Sequence, residues 1–392
     1  MTGNIFEVAP DITYIGVDDH EIKLFENQYK VPRGVSYNSY LVRGEKIAVI
    51  DTTDDQTGTE WLANLQKALD GARPDYLVIE HLEPDHSSLI STFCEIYPEA
   101  TLVLSATGAR MLPQYFDPMP EGVKKLTVKE GDTLDLGGLS LHFLLAPMVH
   151  WPEVMMAYCP ERQLLFSADA FGTFGALDSL AEDWPDEAAR YYFNIVGKYG
   201  AQVQNTLKKL STLEIRTICP LHGPVLTENI SWYTGLYDAW SSYRPEKDGV
   251  FIACASIHGN TLAAAEYLAE ELRHLGVNDV FVADLTALDI SEAVSQAFQY
   301  PKAVFCASSY DAGLFTPMHT FLHVLASKGY CNRKAAIMEN GSWAPSAGKV
   351  MRTMLSEMKG IDIMPDTLTI RGSFKEADRP AVKDFAAKIL AF

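Results

Sequence analysis

YLVIE (76–80) runs directly into HLEPDH (81–86), so a short apolar run delivers four potential metal ligands, His81, Glu83, Asp85 and His86, within six residues. The first part reads as a buried strand. Two imidazoles and two carboxylates at its end form a ligand pattern rather than an ordinary polar turn. Three more candidates close apolar runs further on: His150 after residues 143–149, in MVHWPE; Asp169 at the end of LLFSAD; and His222 at the end of TICPLH. Each repeats one scheme of apolar strand, ligand, then loop, which gathers side chains on one rim of a sandwich. Seven ligands exceed what one tetrahedral zinc takes and suit two metals with a bridging carboxylate. Four imidazoles, three carboxylates and no thiolate suit iron, manganese or zinc.

The surrounding chain supports a two-sheet fold. ITYIG (12–16), SYLVR (39–43) and IAVID (47–51) read as a β-meander, and helical periodicity follows at 56–70, closed by Gly71. After the ligand cluster come a helix-like piece (88–96), TLVLS (101–105) and a helix over 106–115. Residues 125–168 return to short strands (LTVKEG, LDLGG, LSLHFLLA, MMAYC, LLFSA). Residues 181–212 read as helical, and IRTICP (215–220) is a last strand. The order β-rich, α, β-rich, α predicts two sheets with helices outside.

RPEKDG (244–249) is polar, carries Pro and Gly, and reads as a linker. It sets the expected domains at 1–246 and 247–392. Beyond it the chain alternates strictly: VFIACA (250–255), helix 261–274, DVFVADL (279–285), helix 291–298, AVFCAS (303–308), helix 317–326, AAIME (335–339), helix 346–358, strand 366–371 and helix 377–391. Five strands with intervening helices predict a doubly wound parallel sheet. The turn after its first strand, Ser256-Ile257-His258-Gly259-Asn260-Thr261, offers hydroxyls, a glycine and backbone N–H groups at a helix N-terminus, the elements of a phosphate cradle. The third and fourth strands end in Ser308-Ser309-Tyr310-Asp311-Ala312-Gly313 and Asn340-Gly341-Ser342-Trp343. These loops share the carboxyl edge of the sheet, where such folds bind ligands, and Tyr310 and Trp343 could sandwich a planar ring. No G-x-G-x-x-G is present, which argues against a dinucleotide.

The 392 residues are about two domains' worth, and 47% hydrophobic content is enough to build two cores. The formal charge of −19 argues against binding nucleic acid or an anionic membrane by bulk electrostatics. The charge is uneven: residues 1–249 hold 36 acidic and 19 basic residues, residues 250–392 hold 15 and 13. Two modules with different tasks are implied. No signal peptide is visible at the N-terminus, no run is long enough to span a membrane, and the six cysteines lie far apart with no C-x-x-C pair. The expectation is a cytoplasmic protein.

The ligand pattern resembles that of metallo-β-lactamase-fold hydrolases, which carry H-x-H-x-D-H followed by His, Asp and His at later strand ends. Glu83 replaces the second imidazole, and H-x-E-x-D-H is the variant of flavodiiron proteins. A carboxylate there adds charge and hardness, which favours iron that cycles between two oxidation states. HWPE (150–153) and FSADAFGTFG (166–175) also look like segments of that family, and SIHGNT (256–261) resembles the flavodoxin phosphate loop except at His258, where the family often has Tyr. The resemblance spans essentially the whole chain. It implies a metallo-β-lactamase-like αββα sandwich followed by a flavodoxin-like doubly wound parallel sheet. It further implies that His81, Glu83 and His150 bind one iron, that Asp85, His86 and His222 bind the other, and that Asp169 bridges them.

On the same resemblance, FMN occupies the second module, held by residues 256–261, Ser308, Ser309, Tyr310, Asp311, Gly313, Asn340, Gly341, Ser342 and Trp343. The implied activity is reduction of dioxygen to water or of nitric oxide to nitrous oxide. Electrons would come from rubredoxin or a similar small donor, in a head-to-tail homodimer or a dimer of dimers. No C-terminal rubredoxin knuckles are present, so the expected form is the minimal two-module one. Competing readings are a zinc hydrolase fused to a flavodoxin, a pure electron carrier, and a direct oxidase of reduced deazaflavin. Glu83 separates the first from the iron enzyme.

Overall fold

The computed structural model describes residues 5–116, 118–180 and 184–392. Two compact units emerge, Met1–Asp238 and Ala239–Phe392. The division falls inside the helix Ile230–Ser241, eight residues before the 246/247 boundary expected from RPEKDG.

In the first unit, alternation along short strands decides the layers. Tyr40, Val42, Ala48, Ile50, Val78 and Val103 point to one side of a seven-stranded sheet and meet Leu141, Phe143, Met155, Ala157, Leu164 and Phe166 of a five-stranded sheet. Their in-between neighbours Leu41, Val49, Leu77, Ile79, Leu102 and Leu104 face the other way, against Trp61, Leu65 and Leu69 of the helix Gly58–Leu69 and Ile90 and Phe93 of the helix Ile90–Ile96. A period of two thus feeds two separate cores from one sheet. The seven-stranded sheet begins as the expected meander and turns parallel from Ile47–Ile50 through Tyr76–Ile79 to Thr101–Ser105. In the five-stranded sheet only Leu164–Phe166 and Thr217–Cys219 pair in parallel.

Three readings are corrected. Lys124–Val128, grouped by sequence with the second set of strands, is the parallel edge of the first sheet, paired to Thr101–Ser105. The helix expected over 181–212 is broken: Trp184–Tyr191, a wider π turn at Tyr192–Val196, a 3₁₀ turn at Gly197–Tyr199, then Gly200–Leu210. Its residues 181–183 lie outside the described residues. Two glycines within four residues and the bulky YYFNIV stretch relax the regular repeat. The helix Ile230–Ser241 was not anticipated, because its many aromatics obscure the amphipathic period.

The second unit holds five parallel strands, Gly249–Ala255, Asp279–Asp284, Lys302–Tyr310, Lys334–Asn340 and Asp362–Ile370. Their spatial order is second, first, third, fourth, fifth. All residues of the first strand are buried, as a sheet covered on both faces requires. The order reverses between the first and third strands, and Ser256 and Ser308 lie at that switch point.

Candidate metal centre and phosphate cleft

The loop after Tyr76–Ile79 is held from below before it presents any ligand. The Asp51 carboxylate accepts the N–H of Glu80 at 3.0 Å, Glu80 Oε2 accepts the N–H of Ala168 at 2.9 Å, and Thr52 Oγ1 donates to the carbonyl of His86 at 2.9 Å. Pro84 opens a single helical turn, Pro84–Ser87, which places Asp85 and His86 in successive positions, and Ser87 Oγ ties that turn back to Leu82 O at 2.8 Å.

Seven side chains from four loops converge, and they form two donor groups: His81, Glu83, His150 and Asp169; and Asp85, His86 and His222. In the first, Glu83 Oε2 lies 3.2 Å from His81 Nε2 and 3.0 Å from His150 Nε2. In the second, Asp85 Oδ2 lies 3.4 Å from His86 Nε2 and 3.3 Å from His222 Nε2. Asp169 joins them. Its Oδ2 faces His81 at 3.2 Å and His150 at 3.3 Å, while its Oδ1 faces His86 at 3.4 Å and His222 at 3.7 Å.

Two of the outer nitrogens are already committed. His81 Nδ1 bonds to Glu153 Oε1 at 2.8 Å, and His222 Nδ1 to the carbonyl of Ser36 at 2.8 Å. Both leave Nε2 free to face inward, the arrangement that orients metal-bound histidines. Neither oxygen of Asp169 accepts a hydrogen bond of good geometry, although both are buried; Asp85 Oδ1 and His86 Nδ1 are in the same condition. Buried carboxylate oxygens without donors are costly unless a cation meets them. The donor set therefore fits a pair of metal ions sharing Asp169.

The electrostatics agree. Burial opposes ionisation of Asp169, yet His81, His150 and His86 hold it well below the usual carboxylate range. Burial likewise opposes protonation of His150, but Asp169 and Glu83 outweigh it and push the imidazole up to about 9. Glu83 is lowered despite burial, by His150 and His81. Such clustered shifts mark a functional site. A shallow cleft of about 630 Å³, lined by Phe25, Tyr37, Glu83, Pro84 and Asp85 among others, gives access from the side of the 19–27 segment.

In the second unit the carboxyl-edge loops enclose another cleft of about 630 Å³. Ser256, Ile257, His258, Asn260, Thr261, Ser308, Ser309, Tyr310, Asp311, Asn340, Gly341, Ser342 and Trp343 all line it. Gly259 and Gly313 do not: Gly259 caps the helix Asn260–His274 with a φ of 81°, and Gly313 pairs with Tyr310 across a tight turn. Ser256 Oγ is buried without a partner, as a hydroxyl awaiting a phosphate oxygen would be. Thr261 Oγ1 and Ser308 Oγ lie 2.9 Å apart, linking the first and third loops. Ser309 Oγ accepts the N–H groups of Ser346 and Ala347. Trp343 is 94% exposed and Tyr310 46%, so two aromatic rings stand at the rim. The hydroxyls and the exposed rings fit a phosphate-bearing planar ligand.

Residues 35–223 match the model of the ODP family beta lactamase. The anaerobic nitric oxide reductase flavorubredoxin of Vibrio vulnificus is 30% identical over 347 residues, 86% of this chain and 70% of that protein. The chain belongs to the flavodiiron protein family. The flavodiiron protein of Giardia intestinalis shares the fold at a TM-score of 0.92, with 23% identity over 100% of this chain and 98% of that one. The rubredoxin oxygen:oxidoreductase of Desulfovibrio gigas shares it at 0.91, with 23% identity over 99% and 98%. Within this flavodiiron fold all seven sequence-predicted ligands come together. Sequence reasoning missed Glu153, although it lies in the HWPE segment noted for its family likeness, and missed Asp51, which ends the IAVID strand. It also missed Ser346, Gly372 and Ser373 of the second cleft, since nothing local marks them. No helix among the described residues is long and apolar enough to cross a membrane.

Proposed function

We propose that this chain passes electrons through FMN to a non-haem diiron centre and reduces dioxygen to water, nitric oxide to nitrous oxide, or both. The observation that carries the reading is Asp169, whose two oxygens face two separate nitrogen-and-oxygen donor groups, one containing Glu83 where a zinc hydrolase has a histidine. His81, Glu83 and His150 would hold one iron, Asp85, His86 and His222 the other, with Asp169 between them. When bound, FMN stores two electrons and releases them singly, and two ferrous ions reduce a diatomic molecule. The chain's own task is positional. Glu153 and Ser36 fix the tautomers of His81 and His222, Glu83 and Asp85 supply negative charge matched to the metals, and the buried setting excludes bulk water. In the second unit, Ser256, Asn260 and Thr261 would hold the phosphate, with Tyr310 and Trp343 against the ring.

The near-neutral second unit is the better docking face for an acidic donor such as rubredoxin, and the Desulfovibrio relative is named for that donor. A head-to-tail homodimer, alone or as a dimer of dimers, would bring each flavin beside the partner's metal centre. The six cysteines are free and buried, which fits the reducing cytoplasm. Anaerobic reduction followed by rapid mixing with dioxygen, and separately with nitric oxide, tests the reading. Reoxidation of flavin and iron faster than free FMN supports it. If neither gas achieves this, or elemental analysis finds two zincs, the reading fails.

A further inference from the structure

Rings beside the metal ligands form a series that the reaction above does not use. Trp151 packs edge-on against His81 with ring centroids 5.2 Å apart, and it stands 6.2 Å from His150. On its other side Trp151 lies 6.1 Å from Tyr115, with the planes inclined by 30°. Tyr115 is 40% exposed. Ligand imidazole, indole, phenol and solvent therefore follow one another without a gap. Two other tyrosines stand beside the ligands among the described residues, and both are buried. Tyr191 is 5.6 Å from His222 but fully buried, and it packs next against Phe25 and Phe174, which resist oxidation. Tyr37, 5.9 Å from His222, is buried as well.

We propose that Trp151 and Tyr115 form an escape route for oxidising equivalents, protecting the metal centre when dioxygen is met with too few electrons. The proposal rests on the dioxygen reduction inferred above. Reduction of one dioxygen to two waters takes four electrons, so a partly reduced protein leaves the centre over-oxidised. One electron then passes from the Trp151 indole to the centre, which is reduced by one. The indole radical cation takes an electron from the Tyr115 phenol, whose proton goes to water. The neutral tyrosyl at the surface takes one electron and one proton from a dissolved thiol, which leaves as a thiyl radical. Burial and the nearby carboxylates of Glu153 and Glu83 raise the Tyr115 phenol above its ordinary range, so the ring starts protonated and has that proton to release.

The test is made on the iron- and FMN-loaded protein, reduced with two electrons per chain and mixed with excess dioxygen. Iron oxidation is followed optically, and frozen samples are read by electron paramagnetic resonance. A neutral tyrosyl signal is expected. Tyr115→Phe should replace it with an indole radical while leaving the rate of iron oxidation within about twofold. Trp151→Phe should abolish both signals and cut the turnovers completed before inactivation several-fold. Iron oxidation with no organic radical in the unmodified protein overturns the proposal. So does a tyrosyl signal that survives in the Tyr115→Phe, Trp151→Phe double variant, since it would sit on another ring. If the iron does not react with dioxygen, the functional reading falls and the proposal falls with it.

Discussion

Glu153 holds His81 through its outer nitrogen, Oε1 to Nδ1 at 2.8 Å, and so leaves Nε2 facing Glu83 and Asp169. The same oxygen accepts the N–H of Leu82 at 2.9 Å, and Ser105 Oγ donates to the Glu153 carbonyl at 2.8 Å. One carboxylate thus fixes both the ring of a ligand and the start of the loop that carries three others. Partners of this kind typically account for 10–100-fold in metal affinity. Glu153→Ala should weaken iron binding by about that factor, and Glu153→Gln by about tenfold or less because the amide oxygen still accepts. Competition with a chelator of known affinity measures both.

Metal loading should release protons, and more of them at lower pH. In the metal-free protein His150 is raised to about 9. A raised imidazole stabilises the metal-free fold fully below its unfolded value near 6.5 and loses that contribution as pH climbs through about 9. Metal needs the neutral ring, so apparent affinity should rise from pH 6.5 to 9. Titration with ferrous ion in weak buffer at pH 7 should show proton release that shrinks toward pH 9. Affinity flat across this range would contradict the assignment.

Asp169→Asn should remove more than one ligand. Both carboxylate oxygens serve, one to each donor group, and an amide offers a single neutral oxygen and a hydrogen-bearing nitrogen. Bound iron should fall from two per chain to one or fewer by elemental analysis, with the fold intact by circular dichroism.

Gly341→Ala should impair flavin retention. A Cβ there would stand 2.7 Å from Pro345 Cα and 2.9 Å from Ser309 Oγ, both walls of the cleft, so the loop must shift. Ser256→Ala removes a cleft hydroxyl that is buried without a partner and should weaken FMN binding with little effect on melting temperature. Fluorescence of released flavin measures the loss in both variants, and a melting curve separates them, since only the glycine variant should also lower stability.

Tyr237→Phe tests the frame behind Asp169. Tyr237 Oη accepts the N–H of Phe171 at 2.6 Å and Tyr233 Oη donates to its carbonyl at 3.1 Å, while Phe171 holds a left-handed φ of 68°. Removing one hydroxyl leaves a buried N–H short of a partner, at a cost of about 1–3 kcal/mol. Denaturant unfolding of the metal-free protein should show that loss.

The apolar runs, the candidate ligands that close them and the serine-rich turn after the first parallel strand are local patterns, so the chain itself pointed to two modules, to seven side chains that converge on one rim and to a hydroxyl-lined cleft. Strand alternation and ligand chemistry need no knowledge of what packs against them. Sequence alone did not assign Lys124–Val128 to its sheet, break the 181–212 helix, or place Glu153, Asp51 and Ser36 behind the ligands. Those depend on which segments meet across long separations, where a side chain's role comes from its neighbours rather than its spacing. Asp169 shows the division most plainly. Its place at a strand end was visible in the sequence. That its two oxygens face different histidine pairs was decided only when four loops closed on one rim.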